Sequence, residues 1–335
     1  MDKLLQISEE ELALVIQNTS EKLNLSTAII EKDFWVCVVL RYLFSEFKYK
    51  NHIVFKGGTS LSKVYGIIDR FSEDIDLALN WELIGYGKNE PYEKRSNTKQ
   101  AKFNEMLNTD TKLFLKDVFL PILVADFAKL LPNKQFRFYI DELDGQTICF
   151  DYPKKYSDTA ILQVIRLEIG CLAEPIPASM YKIKPYISEA YPNIFSDQFE
   201  VYTVECIRTF YEKITILHRE ANRVNGNYPM RYSRHYYDVY KLLKHSMMDE
   251  SLENIEVLFK VVDFKKKFYP CNWAKYDEIK QGNIKLIPSN EAISVFESDF
   301  QQMKQMIFRQ QLNFNQILDL IQKYERLLND KIKSH

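Results

Sequence analysis

Two carboxylates at i and i+2, Asp74 and Asp76, closely follow a glycine pair and two hydroxyls, Gly57-Gly58-Thr59-Ser60. The full wording is Phe55-Lys-Gly-Gly-Thr-Ser-Leu-Ser-Lys63, then Arg70-Phe-Ser-Glu-Asp-Ile-Asp-Leu77. Ile53-Val-Phe55 reads as a buried strand, and Asp74-Ile-Asp-Leu-Ala-Leu79 as a second with alternating faces. Residues i and i+2 of a strand project to one side, so Asp74 and Asp76 should stand together near the glycine turn. Two carboxylates about 5 Å apart repel by about 3 kcal/mol at an effective dielectric of about 20. Such a pair needs a divalent cation, a shared proton or open solvent. Mg²⁺ is usually bound by one or two carboxylates together with substrate phosphates.

Other chemistry-bearing residues follow downstream. Glu168 lies in Ile161-Leu-Gln-Val-Ile-Arg-Leu-Glu-Ile169, a run that reads as a central strand. A carboxylate there is costly unless it is paired or holds a metal, and Arg166 shares its face as a salt-bridge alternative. In the helical segment Thr203–His218, Thr209 and Lys213 share one face, as do Arg208 and Glu212. Lys213 could extend an ammonium towards a polyphosphate, or the Glu-Lys pair could be a solvated face. In Arg231–Leu243, the residues Arg231, Arg234, Asp238 and Lys241 form one polar stripe, which alone would be a salt-bridged surface helix. Asp263-Phe-Lys-Lys-Lys-Phe-Tyr269 with Trp273, Lys275 and Tyr276 mixes cations and rings, which suits an RNA-facing groove or a solvated charge run. Glu31-Lys-Asp-Phe-Trp35 reads as a solvated turn beside an aromatic core contact.

The elements that must position these residues come from periodicity. Helices are predicted over 8–22, 26–47 and roughly 100–131, and strands over 135–141, 147–152 and 161–170, with Asp144-Gly145 as a hairpin turn. From about Thr203 the chain reads as helical, over 203–220, 231–247, 251–268, 289–308 and 313–333. The fold class is therefore α/β (α+β), a mixed sheet of about five strands flanked by helices plus a C-terminal helical domain. The expected domains are 1–190 and 191–335, divided at the Pro-marked stretch Pro175–Pro192. At 335 residues, 46% hydrophobic and 27% charged, the chain has the makeup of an ordinary folded protein. Its net charge of −1 gives no global signal for nucleic acid. Five scattered cysteines show no zinc-ligand spacing and suggest no disulfide framework. No apolar run approaches the ~18 residues of a membrane span, and the polar N-terminal segment does not read as a signal peptide. The expectation is a soluble cytoplasmic protein with no membrane partner.

A glycine-hydroxyl loop followed by a strand bearing Asp-x-Asp is the pattern of the nucleotidyltransferase superfamily. The wording here resembles the AbiEii/AbiGii-type nucleotidyltransferase toxins over nearly the whole length. Glu31–Trp35 resembles a feature preceding the glycine loop in that family. Arg208-Thr-Phe-x-Glu212-Lys213 with Leu217-His218 resembles a later motif, and Arg234 with Asp238 the last one. Where the family often carries a second Asp, this chain has Lys241. The resemblance implies transfer of a nucleoside monophosphate from an NTP to an acceptor, with pyrophosphate released. Asp74, Asp76 and, as third acid, Glu168 would hold Mg²⁺ (or Mn²⁺). Gly57 and Gly58 would let the backbone approach the phosphates, with Thr59, Ser60 and Lys63 as further nucleotide contacts. The loop is no P-loop, because it lacks the second Gly-Lys-Ser/Thr. Lys213 would counter triphosphate charge, Arg234 would touch nucleotide or acceptor, and Asp238 would act as base or positioning residue. The helical lobe would thus complete a site begun by the sheet. The implied acceptor is the tRNA acceptor end, and the implied context a toxin–antitoxin or phage-defence system with a separately encoded antitoxin. Alternatives are transfer to a protein or small molecule, and a nucleotide-binding regulator without transfer.

Overall fold

A computed structural model of the chain describes residues 2–158, 161–224, 226–304, 307 and 312–335. The chain divides into two units, Met1–Val64 with Phe71–Val204, and Tyr65–Arg70 with Glu205–His335.

The first unit is built on a seven-stranded mixed sheet. Its strands are β1 (Ile53–Lys56), β2 (Asp74–Leu79), β3 (Arg137–Ile140), β4 (Thr147–Asp151), β5 (Ile165–Gly170), β6 (Ala178–Ile183) and β7 (Phe199–Val204). They lie in the order β3-β4-β5-β2-β1-β7-β6, with β2/β5 and β1/β7 parallel and the other pairs antiparallel. Helices α1 (Asp2–Gln6), α2 (Glu9–Leu23), α3 (Thr27–Ser45), α4 (Gly57–Lys63), α5 (Asn97–Phe114), α6 (Leu120–Leu130) and α7 (Tyr186–Ala190) complete it. Ser8 closes a capping box at the start of α2, and the Ser26 hydroxyl caps α3. Buried rings of Trp35, Phe127, Phe138 and Phe150 pack together, with Phe138 stacked on Phe150 at 4.3 Å.

The sheet has two strands more than the five expected. β6 and β7 fall around the prolines that read as a domain boundary. Prolines just outside a strand are compatible with an edge position, and β6 is the edge, exposed along much of its length. β7 does alternate, burying Phe199, Val201 and Thr203 while exposing Glu200 and Tyr202. Thr203, expected to open a helix, is its penultimate residue. The single helix expected over 100–131 is instead interrupted by a π-helical stretch, Leu115–Phe119. Pro121 has no N–H and crowds the carbonyl four residues earlier, which a local widening of the helix relieves.

The second unit is helical. Its helices are α8 (Cys206–Ala221), α9 (Ser233–Leu242), α10 (Met248–Glu253), α11 (Ile255–Phe268), α12 (Tyr276–Ile279), α13 (Asn290–Met303) and α14 (Phe314–Lys333). The α14 stripe of Ile317, Ile321, Tyr324 and Leu328 is buried, and Tyr324 shares a hydrogen bond with the Ser251 hydroxyl. α9 begins two residues later than expected. Arg231 precedes it at φ +60°, and the Asp299 carboxylate accepts the backbone N–H groups of Arg231 and Ser233 at 2.6 and 2.8 Å. The cap comes from α13, so nothing local marks the start.

Candidate active site

In the first unit, the alternation of β2 places Asp74 and Asp76 on one face, half-buried, while Ile75, Leu77 and Leu79 enter the core. Asp76 stands opposite Lys56 on β1 and opposite Glu168 on β5. A cation and two carboxylates thus share one row across three adjacent strands. Asp74 is opposite Arg166. Arg166 donates to Asp141 at 2.5 Å and stands 3.8 Å from Glu168, so its tighter partner is Asp141. Among the described residues, no three His, Cys, Asp or Glu side chains converge as a metal cage. A hard cation held by one or two carboxylates plus phosphate oxygens needs no such cage. The oxygen-only donor set of Asp74 and Asp76 fits that kind of ion.

The glycine loop closes directly on this pair. Gly57 has φ +82°, and a Cβ built on it would lie 1.8 Å from Asp76 Oδ2 and 2.5 Å from its Cγ. Only glycine allows both that conformation and that approach. Gly58, Thr59, Ser60 and Lys63 follow within α4. The Thr59 hydroxyl donates to the Asp74 carbonyl and lies 3.0 Å from Ser72 Oγ, tying α4 to the start of β2. Ser60 Oγ donates to the Gly57 carbonyl at 2.8 Å. The Lys63 side chain is 5% exposed and bonds Asp33 at 2.6 Å.

The second unit gathers Lys213 from α8, Asp238 from α9 and Arg70, a residue to which the sequence reading gave no role. Arg70 makes a two-pronged contact with Asp238, with Nε to Oδ1 and Nη2 to Oδ2 both at 2.7 Å. Lys213 Nζ reaches Asp238 Oδ2 at 2.8 Å. Asp238 is fully buried, whereas Arg234 and Lys241 of the expected stripe are half-buried and Arg231 is exposed. Burial alone would raise its pKa, but the Arg70 and Lys213 charges outweigh it and hold the carboxyl below the ordinary range. Burial lowers the Lys213 pKa, with Asp238 opposing and Arg70 adding to the fall. Arg234, half-buried on α9, has no carboxylate partner among the described residues. Lys241, standing where the family often has Asp, pairs with Asp69 at 2.6 Å.

His218 serves as a brace. It is fully buried; its Nδ1 accepts the Lys285 N–H at 3.0 Å, and Nε2 lies 3.3 Å from the Lys275 carbonyl. That pattern fits the neutral tautomer with Nε2–H donating. Burial lowers its pKa, as it does for His235. The stability given by the neutral form is complete above the unfolded value of about 6.5 and declines as pH falls from there towards the folded value. Urea midpoints should therefore drop between pH 8 and pH 5.5, and less steeply in His218→Gln. An unchanged slope in that variant would remove His218 from the account.

In the lysine-rich segment, Lys266 pairs with Asp277, Lys280 with Asp263 at 2.6 Å and Lys275 with Glu278 at 3.4 Å. Phe264, Phe268 and Tyr276 are core residues, while Tyr269 is exposed and Trp273 half-buried. The solvated reading of Glu31-Lys-Asp is overturned, since all three are buried.

In sequence, residues 38–320 match the family described as Nucleotidyl transferase AbiEii toxin, Type IV TA system. The chain belongs to this family and is a nucleotidyltransferase. In structure it is similar to MenT4, a nucleotidyltransferase toxin from Mycobacterium tuberculosis H37Rv, at 15% identity and TM-score 0.43, covering 96% of this chain and 97% of that one. It is also similar to JHP933 from Helicobacter pylori, at 14% identity and TM-score 0.40, covering 98% and 96%. No protein with a curated description matches the chain. The family membership rests on the sequence match, and it brings with it an NTP substrate and an antitoxin partner. Among the described residues, no helix is long and apolar enough to cross a membrane.

Proposed function

We propose that this nucleotidyltransferase moves a nucleoside monophosphate from an NTP to the acceptor end of a tRNA in the cytoplasm, and is toxic by doing so. The observation that carries the reading is the closure of Gly57 onto Asp76, with Asp74 on the same face. A Mg²⁺ (or Mn²⁺) ion, when bound, would supply the positive charge that neutralises charge developing during phosphoryl transfer. Asp74 and Asp76 would hold that ion, with Glu168 opposite Asp76 in the same row of the sheet. The Gly57-Gly58 backbone would lie against the phosphates, with Thr59, Ser60 and Lys63 keeping the loop in place around them. Lys213 and Arg70 would counter triphosphate charge, and Arg234 would contact nucleotide or acceptor. A general base works best with a pKa near the operating pH. Asp238, held below the carboxylate range with both oxygens engaged, is better suited to positioning Arg70 and Lys213.

The test is incubation of the purified protein with each labelled NTP, Mg²⁺ and total tRNA. Label on tRNA supports the reading, and label on protein or a small molecule replaces the acceptor. No incorporation despite metal-dependent NTP binding would favour a regulator. Asp74→Ala and Asp76→Ala should each lose transfer and growth inhibition with unchanged circular dichroism. Full activity in either variant would remove the metal assignment.

A further inference from the structure

Glu31, Lys32 and Asp33, three consecutive charged residues of α3, are 3%, 0% and 3% exposed. Buried charges persist only when paired or hydrogen-bonded. Successive helix residues point about 100° apart at 3.6 residues per turn, so each of the three reaches a different segment. Glu31 accepts the backbone N–H groups of Lys155 and Tyr156 at 2.9 and 3.1 Å. Lys32 Nζ donates to Glu73 Oε2 at 2.9 Å and to the Leu162 carbonyl at 2.6 Å. Glu73 Oε2 also accepts the Leu162 N–H at 2.9 Å. Asp33 takes Lys63 Nζ on Oδ1 at 2.6 Å and the Tyr186 N–H on Oδ2 at 2.7 Å. The Lys63 ammonium also lies 4.2 Å from the centre of the Tyr186 ring.

Two of these three connections end on the glycine loop and the carboxylate strand. Lys63 is the last residue of α4, the helix that Gly57 opens. Glu73 immediately precedes Asp74, the first residue of β2. Thr59 already joins α4 to the Asp74 backbone from within. One turn of α3 therefore holds the far end of the glycine helix and the near end of the carboxylate strand. We propose that Lys32 and Asp33 are positioning residues for the transfer reaction: their ion pairs with Glu73 and Lys63 set where Asp74 and Asp76 stand relative to the Gly57 loop. The proposal rests on the role given above to Asp74 and Asp76. Glu31 has the same burial on the same helix but bonds the 155–156 segment, so it supplies the control.

The experiment compares Asp33→Asn, the double variant Lys32→Met/Glu73→Gln and Glu31→Gln with wild type. The double variant removes both charges of its pair, so no lone buried charge remains. It also serves if Asp33→Asn fails to fold. Three quantities are measured: thermal midpoint, kcat against KM for the NTP, and Mn²⁺ affinity by electron paramagnetic resonance with a non-hydrolysable NTP analogue. Residues that orient ligands through other groups cost about 10- to 100-fold in metal affinity or activity when changed. Asp33→Asn and Lys32→Met/Glu73→Gln should lose kcat and Mn²⁺ affinity on that scale with KM little changed, whereas Glu31→Gln keeps wild-type values at a similar loss of thermal midpoint. Wild-type kcat and Mn²⁺ affinity in folded Asp33→Asn and in the double variant would overturn the proposal, as would equal losses in Glu31→Gln. A wild-type protein that binds Mn²⁺ with nucleotide but transfers nothing would overturn the functional reading instead, and the Mn²⁺ affinities would still decide the positioning role.

Discussion

Alanine at position 57 is expected to abolish nucleotidyl transfer while leaving most of the protein folded. Gly57 sits at φ +82°, where an L-residue is strained by about 1–3 kcal/mol. The larger effect is steric. Its Cβ would fall 1.8 Å from Asp76 Oδ2, 2.5 Å from Cγ and 2.9 Å from Cβ, so the clash involves the whole carboxylate side chain. The Asp76 backbone is held in place, because β2 is paired on both sides, with β1 and β5. Either the loop or the carboxylate must move, and a displacement of about 1 Å in a reacting constellation costs about 100-fold or more in rate. Gly85→Ala is the matched control, since Gly85 has φ +96° but nothing within 4 Å of its Cβ position. It should carry the backbone strain and keep its activity. Transfer rates and thermal midpoints of the two variants check the claim, and an active Gly57→Ala would mean that Asp76 is dispensable.

Asp238→Ala is expected to have the largest effect on stability. It would strand Arg70 and Lys213, two buried cations, without their shared counter-charge, and breaking a buried pair in this way costs about 3–5 kcal/mol. Urea unfolding should show the loss directly. The triple variant Arg70→Met/Lys213→Met/Asp238→Leu should recover much of it, since apolar replacement of a buried ionic cluster is often neutral or better. Transfer should not return with stability, because the cations themselves are proposed to act on the triphosphate. Recovery of both would reduce the cluster to a packing device. The pH dependence has a defined sign. Asp238 is depressed in the folded protein, so its contribution is complete above the unfolded value of about 3.9 and is lost only as pH falls below it.

The local parts of this architecture were readable from the residues themselves. Period-two spacing placed Asp74 and Asp76 on one face, and three- and four-residue spacing gave most helices of the second unit. The pairing of Arg208 with Glu212, at 3.4 Å, follows from helical geometry alone. What escaped was decided by partners distant in sequence. Arg70 carries no local mark of its role, because Asp238 lies 168 residues away. Glu31-Lys-Asp has the polarity of a solvated turn, and only the tertiary placement of Glu73, Lys63 and the 155–156 backbone makes it interior. β6 was hidden by flanking prolines and by an edge position that needs no apolar alternation. The glycine at 57 was visible, but its cause, a carboxylate from the next strand in the place of a Cβ, was not.

The assignment of Tyr65–Arg70 to the helical unit has a consequence for how the protein comes into being. This segment leaves the ribosome between two strands of the sheet unit, and its ionic partner Asp238 follows 168 residues later. At about 5–20 residues per second, Arg70 waits roughly ten seconds or more for its carboxylate. A nascent chain short of residue 238 already contains the sequences of all seven strands and both acids of β2, yet it lacks the carboxylate that Arg70 and Lys213 share. Until α9 has been made, Arg70 and Lys213 are two like charges that lack the Asp238 carboxylate between them.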